Sequence, residues 1–130
     1  MPESASENVI APWLSLRDSG HALDFYKAAF GAVETHRTDT PDGVIARLSV
    51  GGAQFWISPG GEETRSSGPE AVGGATIRLI LVVSDPDAAF ARALAAGATE
   101  VFPVGDAHGW RLGRLTDPFG LDWEIGRELA

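Results

Sequence analysis

The sequence predicts an α+β fold in which two βαβββ modules form a curved, mostly antiparallel mixed sheet with a cleft, the helices lying on its outer faces. Three observations carry this. The stretch Ala11-Pro-Trp-Leu-Ser-Leu-Arg-Asp18 runs into Ala22-Leu-Asp-Phe-Tyr-Lys-Ala-Ala-Phe30-Gly31, and Arg78-Leu-Ile-Leu-Val-Val-Ser-Asp85 runs in the same way into Ala88-Ala-Phe-Ala-Arg-Ala-Leu-Ala-Ala-Gly97. The two aspartates are 67 residues apart and the two glycines 66. A repeat at about half the chain length marks a duplicated supersecondary unit, and two copies of a sheet naturally enclose a cleft. Between the copies, residues 59–74 are rich in Gly, Ser, Pro and Glu, which reads as a linker and possible swapping hinge joining modules 8–58 and 75–127. Finally, 130 residues with 44% hydrophobic and 22% charged side chains are one globular domain's worth, residues 1–130.

The first module opens with a strand over residues 9–16, where apolar and polar side chains alternate. Asp18 or Ser19 can cap the helix that follows, and Ala22, Leu23, Phe25, Tyr26, Ala29 and Phe30 recur at the spacing of one buried stripe. Gly31 stops that helix. Strands over 32–38, 44–50 and 53–58 are separated by Pro41-Asp42-Gly43 and Gly51-Gly52, both strong turn signals. The second module repeats the order. A nearly continuous apolar strand covers 76–83, a helix starts at Ser84 or Asp85 with Pro86 in its first turn, and Gly97 closes it. Strands over 99–104, 109–116 and 121–125 complete the module, with Asp117-Pro118-Phe119-Gly120 as the last turn. The glycine-rich run 105–113 lacks the strand-to-helix context of a phosphate cradle and reads as a flexible loop.

Composition excludes several kinds of chemistry. With no cysteine, disulfides, zinc–thiolate sites and thiol nucleophiles are impossible. A formal charge of −8 and a pI near 4.7, without a basic patch, argue against nucleic acid as a partner. The same acidity would favour a cationic ligand if carboxylates faced the cleft, or serve solubility alone. The longest apolar run, 79–83, is too short to cross a bilayer, so no membrane partner is expected. The first residues have neither the basic start nor the apolar stretch of a secretory signal, which makes the cytoplasm the expected location.

Leu23-Asp-Phe-Tyr-Lys-Ala-Ala-Phe-Gly31, Gly51-Gly52-Ala53 and Thr116-Asp-Pro-Phe-Gly-Leu-Asp-Trp-Glu124, in this order, resemble the vicinal oxygen chelate superfamily of glyoxalases, bleomycin-resistance proteins and ring-cleaving dioxygenases. The last segment, with Gly113-Arg114 before it, looks most like the PhnB-like, 3-demethylubiquinone-methyltransferase-like branch. The resemblance covers about residues 9–127. It implies the paired-module fold, a homodimer, and, in the metal enzymes, a divalent ion held by one side chain from the first and last strand of each module. Those positions fall on Ala11, Trp56, Arg78 and Glu124, of which only Glu124 could bind a metal. A guanidinium repels a cation, so neither metal nor other cofactor is expected. The three histidines do not rescue the site: His21 falls in a helix turn, His36 in an unpaired strand and His108 in a turn.

Residues two apart share a face of a strand. If position 11 faces the cleft, so do Trp13, Gln54, Trp56, Arg78 and Glu124, with Trp110 at its mouth and Arg111 or Arg114 beside it; Trp123 faces away. Arg78 and Glu124 could form an ion pair that replaces the metal, either filling space or binding a ligand. The tryptophans could stack on a planar or cationic ligand, or simply pack the core. The residues expected to bind ligand are Trp13, Gln54, Trp56, Arg78, Trp110, Arg111 and Glu124, and Glu124 is the candidate general base. A small organic ligand bound without metal is the expected function. A glyoxalase-like lyase, isomerase or dioxygenase using Glu124, and a degenerate structural or regulatory homologue, are the alternatives.

Overall fold

The computed structural model describes residues 9–59 and 77–130. In chain order these are β1 (Trp13–Ser15), α1 (Ser19–Phe30), β2 (Val33–Thr40), β3 (Gly43–Val50), β4 (Ala53–Ser58), β5 (Arg78–Val82), α2 (Pro86–Ala95), β6 (Thr99–Ala107), β7 (Trp110–Thr116) and β8 (Asp122–Glu128). The duplicated βαβββ order is therefore present. Each module is a four-stranded sheet, ordered β1-β4-β3-β2 and β5-β8-β7-β6, with one parallel pair and two antiparallel pairs. The proposed hinge lies almost wholly outside the described residues.

Both helices begin on the residue that the sequence favours. Asp18 accepts a hydrogen bond from the His21 backbone N–H at 3.1 Å, and Asp85 accepts one from Ala88 at 3.2 Å, each satisfying a donor left open by the first turn. Gly31 ends α1 at φ 68°, a left-handed conformation that costs glycine little. Along β3, Val44, Ala46 and Leu48 are buried while Ile45, Arg47 and Ser49 are half-buried. One side of each sheet therefore packs on its helix and the other stays open.

Three elements differ from expectation. The first strand is only three residues long: it pairs with β4 over Trp13–Ser15 alone, and β4 ends at Ser58, opposite Ser15. The glycine-rich run 105–113 is not a loop but most of a hairpin, in which β6 extends to Ala107 and turns at His108-Gly109. Both turn residues have positive φ, 54° and 82°, matching the twist of a two-residue hairpin connection. His36 is not in an unpaired strand, since it lies opposite Arg47 in the β2–β3 ladder.

The two modules are tied through one aromatic core. Tyr26 of α1 packs against Phe55 and Trp123, and the Phe30 and Trp123 rings meet at 4.7 Å. At its centre sits the Asp117 carboxylate, 4% exposed. Its Oδ1 accepts the backbone N–H groups of Phe119 and Leu121, and its Oδ2 accepts Tyr26 Oη–H at 2.5 Å and Trp123 Nε1–H at 2.9 Å. A buried carboxylate is tolerable only with such full satisfaction. Among the described residues no helix is long and apolar enough to cross a membrane.

Candidate functional site

The open sides of the two sheets carry the exposed aromatic and charged side chains. Across the first sheet, Trp13, Trp56, Arg47 and His36 stand opposite one another on β1, β4, β3 and β2. The two indoles stack with centroids 5.1 Å apart and planes 11° from parallel. Arg47 places its guanidinium carbon 5.5 Å from the Trp56 ring, and the His36 ring lies 5.6 Å from it. Trp13 Nε1–H is satisfied by Ser58 Oγ at 2.9 Å, yet the residue remains 52% exposed. What it presents to solvent is apolar ring surface.

The second sheet repeats this row with other residues. Ile80, Glu124, Arg114 and Phe102 stand opposite one another on β5, β8, β7 and β6. Arg114 donates to Glu124 Oε2 from Nη2 at 2.8 Å and Nε at 3.3 Å, and its guanidinium carbon lies 5.2 Å from the Phe102 ring. Arg78, diagonal to Glu124, reaches the same oxygen only at 3.8 Å. The Arg78–Glu124 pair expected from the sequence is thus the weaker arm of a two-arginine arrangement led by Arg114. Beside it a depression of about 440 Å³ is lined by Ile80, Phe102, His108, Trp110, Leu112 and Glu124. A second, apolar hollow of about 180 Å³ lies between the modules, bordered by Gln54, Phe55, Leu79, Ile80 and Trp123.

The structure thus places Trp13 and Trp56 on one open face, Arg78, Trp110 and Glu124 on the other, and Gln54 at the hollow between the modules. It sets Arg111 apart. On β7 a Cβ built on Gly113 would point at Phe90 of α2, Leu115 is buried on the same side, and Arg111 shares their parity. Its guanidinium forms a two-pronged contact with Asp87 in the first turn of α2, both bonds 2.7 Å, and a third bond to Asp106 at 2.8 Å. These hydrogen bonds raise the guanidinium's pKa, while the bond from Arg111 lowers that of the Asp87 carboxyl. Arg111 holds the hairpin to the helix, and Arg114 is the arginine on the open face of the sheet.

The four positions at which kindred proteins hold a metal do not suit a cation. Ala11 has no donor atom, Trp56 offers only an N–H, Arg78 is positive, and Glu124 Oε2 already accepts from guanidinium groups. Among the described residues no three His, Asp or Glu side chains converge as a cation site would require. The sequence reading did not single out Arg47 or Phe102, and weighed His36 only as a metal ligand. A signal for one of them was present: Arg47 and Arg114 are 67 residues apart, the same separation as Asp18 and Asp85.

Paired βαβββ sheets of this kind are the fold of proteins in the glyoxalase/bleomycin resistance/dioxygenase group. The chain belongs to the glyoxalase-like domain family, whose profile matches residues 13–125. It is 38% identical over 129 residues to the uncharacterized protein Rv0887c of Mycobacterium tuberculosis (strain ATCC 25618 / H37Rv), covering 95% of this chain and 76% of that one. Among solved structures it is similar to TioX from Micromonospora sp. ML1, at 29% identity and a TM-score of 0.72 over 95% of this chain and 98% of the other. TnmS3, an antibiotic binding protein from Streptomyces sp. CB03234, shares the fold with a TM-score of 0.73 at 20% identity, over 97% and 99% of the two chains.

Proposed function

We propose that the chain binds a planar organic small molecule on the open faces of its sheets, without a metal ion and as a homodimer. The Trp13–Trp56 stack carries this reading. An indole whose N–H is already bonded, half-exposed beside a second indole and a guanidinium, offers ring surface that a flat ligand can cover. The antibiotic binding of TnmS3 is in keeping with it, although at 20% identity that likeness is one of fold. Exposed Ile80 and Val82 on the edge strand β5, with Phe102 on β6, give a second copy apolar surface to cover. The assignment to the PhnB-like branch rests on Gly113-Arg114 and Asp117–Gly120.

One observation favours an enzymatic alternative, a lyase or isomerase using Glu124: its carboxylate borders the depression beside Trp110 and His108. Its commitment to Arg114 suits an anchoring role better than proton abstraction. The test is tryptophan-fluorescence titration with planar aromatic compounds in the presence of EDTA. Saturable quenching that survives chelation and weakens in Trp13→Ala or Trp56→Ala is expected. Binding that disappears with EDTA, or that ignores both substitutions, would overturn the reading.

A further inference from the structure

We infer that the ligand of the first sheet's open face is an anion, a fused-ring aromatic carboxylate whose acid group docks on Arg47 while its ring lies against Trp13 and Trp56. This rests on the small-molecule reading above and adds to it the ligand's charge and the residue that reads it.

The molecule contains its own control. The two rows match strand for strand, so Arg47 and Arg114 are counterparts, as are Trp56 and Glu124. In the second row the arginine's charge is met by Glu124. In the first row a tryptophan stands where that carboxylate would be, and among the described residues no carboxylate pairs with Arg47. Of the four strands of the first sheet, only β2 bears acids. Glu34 and Asp39 lie opposite the buried Leu48 and Val44, hence on the helix side, and bond Lys27 and Arg37 instead. Although the chain carries a net charge of −8, this face holds a cation without a counter-ion among the described residues.

Arg47 is also oriented for the task. Its Nε–H donates to Thr35 Oγ1 at 2.9 Å, fixing the guanidinium over the Trp56 ring, and its terminal amino groups have no partner among the described residues. Two free, coplanar N–H groups suit the two oxygens of a carboxylate. From β1 to β3 is two strand spacings, about 10 Å, the reach of a fused-ring acid whose ring lies over β1 and whose carboxylate contacts a guanidinium on β3. At physiological ionic strength exposed charges more than about 8 Å apart are largely screened, so the chain's net charge does not set the field at Arg47 itself.

The test compares 2-naphthoate, the neutral 2-naphthamide and the cationic 2-naphthylmethylammonium by titration calorimetry on the whole chain. The acid should bind about tenfold more tightly than either analogue, the ratio set by one charge-assisted hydrogen-bonded pair. Arg47→Gln should remove that preference, weakening the acid far more than the amide, and Arg47→Lys should keep part of it; circular dichroism verifies that both variants fold. Equal or tighter binding of the amide or the amine overturns the inference but leaves the stacking reading intact. A preference for the acid that persists in Arg47→Gln overturns the assignment to Arg47. If none of the three binds, both this inference and the aromatic-face reading fall.

Discussion

At the scale of single residues, the side chain with the most at stake is Asp117. Four donors converge on its two oxygens, so Asp117→Asn must set an amide N–H₂ against donors that need an acceptor. We expect it to destabilise the fold by about 3 kcal/mol, measured by urea unfolding. Tyr26, its partner, is the chain's one tyrosine. Burial first, and then the neighbouring Asp117 charge and hydrogen bond, push its hydroxyl well above the usual tyrosine pKa of 10.0. In the unfolded chain Tyr26 ionises near that ordinary value while the folded chain keeps the proton. Stability from this group is thus complete below pH about 10 and falls as pH rises beyond it. Tyr26→Phe should flatten that fall in unfolding experiments across the alkaline range, at the expense of about 1 kcal/mol for the lost hydrogen bond.

At the scale of elements, the second sheet depends on a close approach that only a glycine allows. A Cβ built on Gly113 of β7 would come within 2.9 Å of both the Phe90 ring of α2 and the backbone nitrogen of Val104 on β6. Gly113→Ala should therefore lower stability by about 1–3 kcal/mol, read from thermal unfolding, through overpacking between helix and sheet. The β6–β7 hairpin has a second tether in Arg111. Arg111→Gln should speed amide hydrogen exchange around residues 105–110 while leaving the core strands protected. The elements themselves were largely legible in the sequence, because Asp18, Gly31, Asp85 and the turn residues act locally. The 105–113 run misled because its glycines suggest looseness, whereas its second arm pairs with β8 and Arg111 bonds Asp87, both distant in sequence. β1 is short because its partner β4 ends at Ser58, opposite Ser15.

At the scale of the whole molecule, the proposed homodimer and the proposed ligand binding both rest on the open faces. We expect light scattering to report a mass twice that of the 13.7 kDa chain, and Ile80→Glu to shift it toward the monomer. The strand parity that exposes Trp13 and Trp56 could be read from alternation alone. Which side chains meet across the ladder could not, since that depends on register, on the bulge between Glu34 and His36, and on which of two nearby arginines turns outward. Arg114 rather than Arg111 lies on the open face of the sheet because Gly113 and Leu115 share the helix side with Arg111, a relation fixed by α2 docking.

The bonded knot at Asp117 has a consequence for ancestry. A twofold repeat suggests halves that once stood by themselves, yet here the hydroxyl of one half and the carboxylate of the other complete each other in the dry interior. Severed at the join, neither portion could hide its polar atom without its sibling, so the duplication can no longer be reversed one half at a time.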